Sequence, residues 1–255
     1  MTKTYPGTQA VQRAVTLLER FSDERPSWNV TDLAEAVNLN RTTTYRLLTA
    51  LASADLVTRD ADSDSYRLGS NLIALGGRAQ RANRLRPLAQ PELAQLVETT
   101  GETATLEILV EREMLIIEEV TSDRLLSGSQ SIGTRWPVYA TSTGLALLAN
   151  LPDEQVNELL AGSLAAITPK TETDAGRIRQ KLAQARQQGY AVLAEALELG
   201  YVAIAAPILN HEGHPIAALS VGGPLVRLTA ARIEEIGRLL REAVGRVSYQ
   251  LGFRM

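Results

Sequence analysis

The sequence predicts an α+β chain of two domains. The first is a small amino-terminal unit of three helices and a hairpin, and the second is a larger unit built around an antiparallel sheet. Three observations predict this. Apolar residues recur at helical spacing through the first fifty or so residues and then give way to two short strands. Pro87 and Pro91 mark a break. Beyond it, strand pairs joined by short turns are interleaved with helices. At 255 residues, 45% apolar and 22% charged, the chain is long enough for two modest cores, and with 4% aromatics those cores are aliphatic.

In the first unit, Val11, Ala14, Val15, Leu18 and Phe21 form one stripe, predicting a helix over residues 9–22 that Ser22 to Pro26 ends. Thr31 reads as the N-cap of a short second helix, with Asp32 in its first turn and Leu33, Ala34 and Val37 on one face. Asn38-Leu39-Asn40 is a tight turn. A third helix follows from about Thr42 to Ala54, with Thr44, Leu47, Leu48 and Leu51 inside. Leu56 to Arg59 and Tyr66 to Leu68 read as strands across a polar turn. Three helices, a tight turn between the second and third, and a hairpin describe a winged helix-turn-helix over residues 1–70. A plain helical bundle fits the same periodicity.

The residues left outside the third helix are Arg41, Thr42, Thr43, Tyr45, Arg46 and Thr49, and no acid occurs from Arg41 to Ser53. A solvated helix ordinarily mixes carboxylates with its arginines, whereas a face of Arg, Thr and Tyr suits phosphates and base edges. Arg59 and Arg67, on the hairpin, complete the candidate DNA-binding set of Arg41, Thr42, Thr43, Tyr45, Arg46, Arg59 and Arg67. Residues 1–86 carry 12 Lys and Arg against 9 Asp and Glu, and residues 87–255 carry 14 against 20. The overall charge of −3 therefore divides into a basic head and an acidic body. Residues 71–86 read as a linker helix bearing Arg78, Arg81, Arg84 and Arg86, which either touch DNA or face solvent.

Residues 87–255 form the second domain. Helices are expected from Leu88 to Thr100, ending at Gly101, from Ser142 to Ala149, and from Pro152 to Leu160. Another is capped by Asp174 and ends at Gly189, and the last starts at Thr229 and reaches about Tyr249. Strands are expected at Thr103 to Val110, Met114 to Val120, Leu125 to Ser131, Tyr190 to Leu193, Val202 to Leu209 and Pro215 to Val221.

Catalytic chemistry finds little footing. There is no cysteine, which excludes thiol nucleophiles and cysteine-ligated metals. His211 and His214 are the only histidines and sit in a Gly- and Pro-containing hairpin turn that does not close a zinc site. No Gly-rich phosphate loop is present, and Ser127-Gly128-Ser129-Gln130-Ser131 is not a nucleophile elbow. No metal or cofactor is expected. The start of the chain has no apolar signal core and no run approaches the ~18 residues of a membrane span, so a cytoplasmic location is expected.

Binding is better supported. On the two late strands, Val202, Ile204, Ala206 and Ile208 share a face with Ala217, Leu219 and Val221, while Ala203, Ala205, Ala218, Ser220 and Gly222 share the opposite one. The small-residue face is either closely covered by a helix or the floor of a cavity. Gly133 to Tyr139, rich in glycine and aromatics, is a candidate roof.

In this set of motifs the chain resembles the IclR-type bacterial transcriptional regulators. The resemblance runs through Val30-Thr31-Asp32-Leu33-Ala34, Leu39 to Leu48, Tyr66-Arg67-Leu68-Gly69, Gly133 to Gly144, Gly189-Tyr190-Ala191-Val192, Ile204-Ala205-Ala206-Pro207 and Ala218 to Pro224. It implies a GAF-like effector domain behind the winged helix, a homodimer or homotetramer, double-stranded operator DNA as partner, and a small-molecule effector. It further implies a repressor or activator of catabolic genes; an enzyme built on the second domain is the alternative class. Relatives often carry Lys at the position of Leu145, and those that take small oxo or hydroxy acids commonly carry Cys at the position of Ala203, Asp at that of Leu193 and a second Ser at that of Gly222. Their replacement here implies an aromatic or otherwise largely apolar effector. The candidate effector residues are Gly133, Thr134, Trp136, Tyr139, Leu193, Ala203, Ala205, Ser220 and Gly222.

Overall fold

A computed structural model describes residues 7–60, 62–123 and 132–254. The chain divides into two compact units, Met1–Asn83 and Arg84–Met255.

The first unit runs α1 (Gln9–Leu18), β1 (Ser27–Asn29), α2 (Val30–Ala36), α3 (Arg41–Ser53), β2 (Val57–Asp60), β3 (Ser65–Leu68) and α4 (Ser70–Ala82). Its core is Leu17, Phe21, Trp28, Leu33, Leu48, Leu51, Val57 and Tyr66, drawn from every element except α4. The strands pair antiparallel in the order β1-β3-β2. Strand β1 is absent from the sequence reading. It is three residues long and exists because Trp28 anchors it: the ring is buried, its Nε1 donates to the Arg20 carbonyl at 3.0 Å, and Arg25 stacks on it 3.4 Å from the centroid. The cap of α2 is Asn29 rather than Thr31. Asn29 Oδ1 accepts from the Asp32 amide at 2.8 Å, which places Thr31 inside the first turn. In the turn before α3, Asn38 takes the left-handed conformation, φ 53°, which asparagine tolerates.

The second unit runs α5 (Leu85–Thr100), β4 (Thr103–Val110), β5 (Glu113–Val120), β6 (Arg135–Pro137), α6 (Ser142–Leu148), α7 (Asp153–Leu159), α8 (Ala175–Gln188), β7 (Ala191–Ala194), β8 (Tyr201–Leu209), β9 (Pro215–Pro224) and α9 (Ala230–Gln250). The helical break falls at Asn83, not at the prolines. Pro87 lies in the first turn of α5, where amide groups have no helical partner, and Pro91 is solvent-facing within it. Burial of Ala89, Leu93 and Leu96 on the sheet side holds this helix through the missing bond. The expected strand at Leu125 to Ser131, with the Ser127–Ser131 motif, lies outside the described residues.

Among the described residues, six strands form an antiparallel sheet in the order β6-β5-β4-β9-β8-β7. One face carries Leu106, Val202, Ile204, Ile208, Leu219 and Val221 and packs beneath α5 and α9, with Leu93, Ile236 and Leu240 as the facing residues. The other face packs against α6 and α8 through Leu145, Leu148, Ile178 and Leu182. Register aligns residues across strands into rows: Leu193, Ala203, Gly222 and Thr103 in one, then Ala191, Ala205, Ser220 and Thr105, then Pro207, Ala218 and Glu107. These rows decide what the small-residue face does.

Candidate functional site

Helix α3 is set by its own ends and inner face. Asn40 Oδ1 accepts from the Thr43 amide at 2.8 Å, Thr44 Oγ1 donates to the Asn40 carbonyl at 3.2 Å, and Thr44, Leu48 and Leu51 are buried. That arrangement leaves Arg41, Thr42, Tyr45, Arg46 and Thr49 exposed and Thr43 half-buried. Arg41 is the first helical residue rather than the one before the helix. Tyr45, 48% exposed, is a large ring left in solvent on a face without acids. On the hairpin, Arg59 is engaged: its Nε donates to Asp64 Oδ1 at 2.8 Å and its Nη2 bonds the same oxygen. Arg67 is exposed on β3.

In the second unit the small-residue face divides along its length. Ala205 and Ala218 are wholly buried under α6, so that part is closely covered. Ala203, Ser220 and Gly222, with Leu193 beside them, line a cavity of about 30 Å³ open to the centre of a water molecule. That is room for about two waters. Of the candidate roof, Gly133, Thr134, Trp136 and Tyr139 do not line this cavity. Gly133 and Thr134 exchange backbone bonds with Ile116, Trp136 pairs across β6 with Met114, and Tyr139 Oη donates to the Ala165 carbonyl at 2.8 Å.

The cavity is more polar than the two late strands suggest, because β4 lies beside β9. Thr103, Thr105 and Glu107 alternate with Ala104 and Leu106 and face the same way as Ser220. Thr105 Oγ1 and Ser220 Oγ are 2.7 Å apart. Glu107, only 3% exposed, accepts from Thr105 Oγ1 at 2.8 Å on Oε1 and from Thr143 Oγ1 at 2.6 Å on Oε2. The signal for these residues was the period-two pattern Thr-Ala-Thr-Leu-Glu at the start of β4. At the other end Tyr201 fills the space over Gly222, where a Cβ would come within 2.3 Å of the phenol oxygen. The glycine is what allows that ring to pack there. Burial, with Glu102 and Glu198 nearby, pushes the Tyr201 phenol up.

Burial also pushes the Glu107 carboxyl up, against the opposing effect of the Thr143 and Thr105 hydroxyls. The native state therefore holds this proton at pH values where the unfolded chain has lost it, and stability falls as pH rises from the ordinary value of 4.5 through the raised one. Glu107→Gln removes that loss. Urea denaturation is expected to show the variant more stable than the parent at neutral pH, with the gap closing below 4.5. A gap that does not vary with pH would refute this. Among the described residues no group of three or more His, Cys, Asp or Glu is placed to hold a metal, and His211 and His214 lie exposed in their turn.

Residues 10–61 match the IclR helix-turn-helix domain and residues 78–249 match the family described as bacterial transcriptional regulator IclR C-terminal. The chain belongs to the IclR family. It is 32% identical to the transcriptional repressor IclR of Escherichia coli K12, over 98% of this chain and 93% of that one. An IclR transcriptional regulator from Alicyclobacillus acidocaldarius shares the fold at a TM-score of 0.86 and 29% identity, covering 95% of this chain and 98% of the other. An IclR homologue from Microbacterium hydrocarbonoxydans, solved in complex with 4-hydroxybenzoate, matches at a TM-score of 0.81 and 31% identity over 95% and 98%. The IclR-family chain is thus a DNA-binding transcriptional regulator and not an enzyme. Among the described residues no helix is long and apolar enough to cross a membrane.

Proposed function

We propose that this IclR-family chain is a cytoplasmic repressor of a catabolic operon, reading its operator through α3 and responding to a small organic effector held over β4, β8 and β9. The acid-free outer face of α3 carries the DNA reading. Thr42, Thr43 and Tyr45 reach base edges, Arg41 anchors the helix on backbone phosphate, Arg46 anchors it one turn further in against the base edges of the specific site, and Arg67 contacts backbone phosphate. Arg59 contributes less, because Asp64 already occupies it. One winged helix buries too little surface for tight specific recognition, so two heads of a dimer or tetramer read half-sites about one helical turn apart. Light scattering should find a dimer or tetramer; a monomer that footprints one half-site tightly would contradict the reading.

The effector lies over Leu193, Ala203, Ser220 and Gly222, with Thr103, Thr105, Glu107 and Thr143 as its polar wall. The 4-hydroxybenzoate complex of the Microbacterium relative supports an effector of small organic type. A ring-sized ligand is larger than the present cavity, so its entry requires Tyr201 or the neighbouring Leu197 to move aside. Ala203→Leu fills the floor. A reporter screened for derepression should lose its response in this variant while duplex affinity stays within about twofold, since the substitution lies outside the winged-helix unit. A normal response would place the effector elsewhere.

A further inference from the structure

Among the described residues of the second unit, three glutamates have buried side chains: Glu102, Glu107 and Glu118, at 2%, 3% and 7% exposure. Two of them are paired with arginine. Glu102 accepts from Arg227 at 2.7 and 2.6 Å, and Glu118 accepts from Arg86 at 2.8 Å. Glu107 differs. Its contacts are the hydroxyls of Thr105 and Thr143, and among the described residues no Lys, Arg or His lines the cavity it faces. Each of its oxygens accepts one hydroxyl bond and retains a second acceptor position. The second acid in the lining is Glu198, at the exposed end beside Tyr201.

We propose that the cavity selects its effector by a nitrogen-borne positive charge, an ammonium or amidinium group seated against Glu107, and refuses the matching carboxylate. This rests on the reading of the cavity as the effector site. An incoming ammonium supplies the counter-charge that Arg227 and Arg86 give to the other two buried glutamates, and its remaining N–H groups meet the acceptors of Ser220 and Thr105. An incoming carboxylate gains no such ion pair, since no cation stands in the described lining to offset its charge in a site of low effective dielectric. The present volume admits a compact head group, while the apolar remainder of the ligand lies toward Leu193 and Leu197. Burial raises the Glu107 carboxyl, in keeping with a group that lacks a charged partner until the ligand arrives.

The test is calorimetry on the full chain with two matched pairs, propylamine against butyrate and benzylamine against phenylacetate, each also added to an operator-binding titration. At least one amine is expected to bind at least tenfold more tightly than its matched acid, and Glu107→Gln, which keeps the side-chain size, should erase that preference. The wild-type preference is informative by itself should the variant fold poorly. Equal or tighter binding of the acids, or a folded Glu107→Gln that keeps the amine preference, overturns the proposal. Acids that bind and alter operator affinity would overturn the charge assignment alone and leave the effector cavity standing. Binding of none of the four overturns the charge assignment and removes the support for the cavity as well.

Discussion

Replacing Arg46 by alanine is expected to weaken specific duplex binding by about 1–3 kcal/mol, roughly five- to 150-fold, with the fold intact. The side chain is exposed on α3, and the inner residues Thr44, Leu48 and Leu51 that hold the helix are untouched by the change. No acid stands on this helix to compete for its guanidinium. Arg41 offers an internal contrast. It sits at the first position of α3, where free amides and the helix dipole favour phosphate, so Arg41→Ala should weaken all sequences alike and lower the salt slope by about one. Arg46→Ala should instead relax discrimination. Titrations by fluorescence anisotropy at several salt concentrations separate the two. Unchanged affinity in a folded Arg46→Ala variant would show that α3 does not read DNA in this way.

The second large effect concerns stability. Arg227→Ala is expected to cost about 3 kcal/mol, because it leaves the Glu102 carboxylate buried without its fork of two bonds. Glu102 is only 2% exposed. It lies over Gly223, where a Cβ would come within 2.4 Å of its Oε2. For a unit of this size the loss corresponds to a melting temperature lower by roughly 6–12 °C. Arg238→Ala breaks an exposed pair with Glu242 at 2.7 Å and should cost less than about 1 kcal/mol. Calorimetric scans of the two variants are expected to rank them clearly. Equal losses would mean that the Glu102 pair carries no more than a surface pair.

Helices α8 and α9 were legible from the residues that mark their ends, whereas the Asn29 cap of α2 was not. Asp174 caps α8, whose end is Gly189 at φ 79°, and Thr229 caps α9, all as the sequence signals. The acid-free face of α3 was equally legible, because helical spacing alone separates Thr44, Leu48 and Leu51 from their neighbours. What escaped depends on residues distant in sequence. Strand β1 is three residues that become a strand only by pairing with β3. Pro87 and Pro91 signal a break locally, yet packing of Ala89, Leu93 and Leu96 carries α5 through them. The cavity was half legible. Ala203, Ser220 and Gly222 follow from parity within their strands, but Thr103, Thr105 and Glu107 join them only because β4 is the neighbour of β9. That order is not written in either strand. Composition suggested Trp136 and Tyr139 as a roof, whereas Tyr139 is tied by its hydroxyl to Ala165.

The most direct test of an operator-reading regulator is a titration of the purified chain into a labelled duplex from upstream of its own gene, set against a scrambled duplex of equal length and composition. Saturable binding to the upstream duplex is expected to be at least 1,000-fold tighter at physiological salt, the lower end for specific recognition, and Arg46→Ala is expected to narrow that margin by about five- to 150-fold. Equal affinity for the two duplexes, or wild-type discrimination retained by the variant, would contradict operator reading by α3.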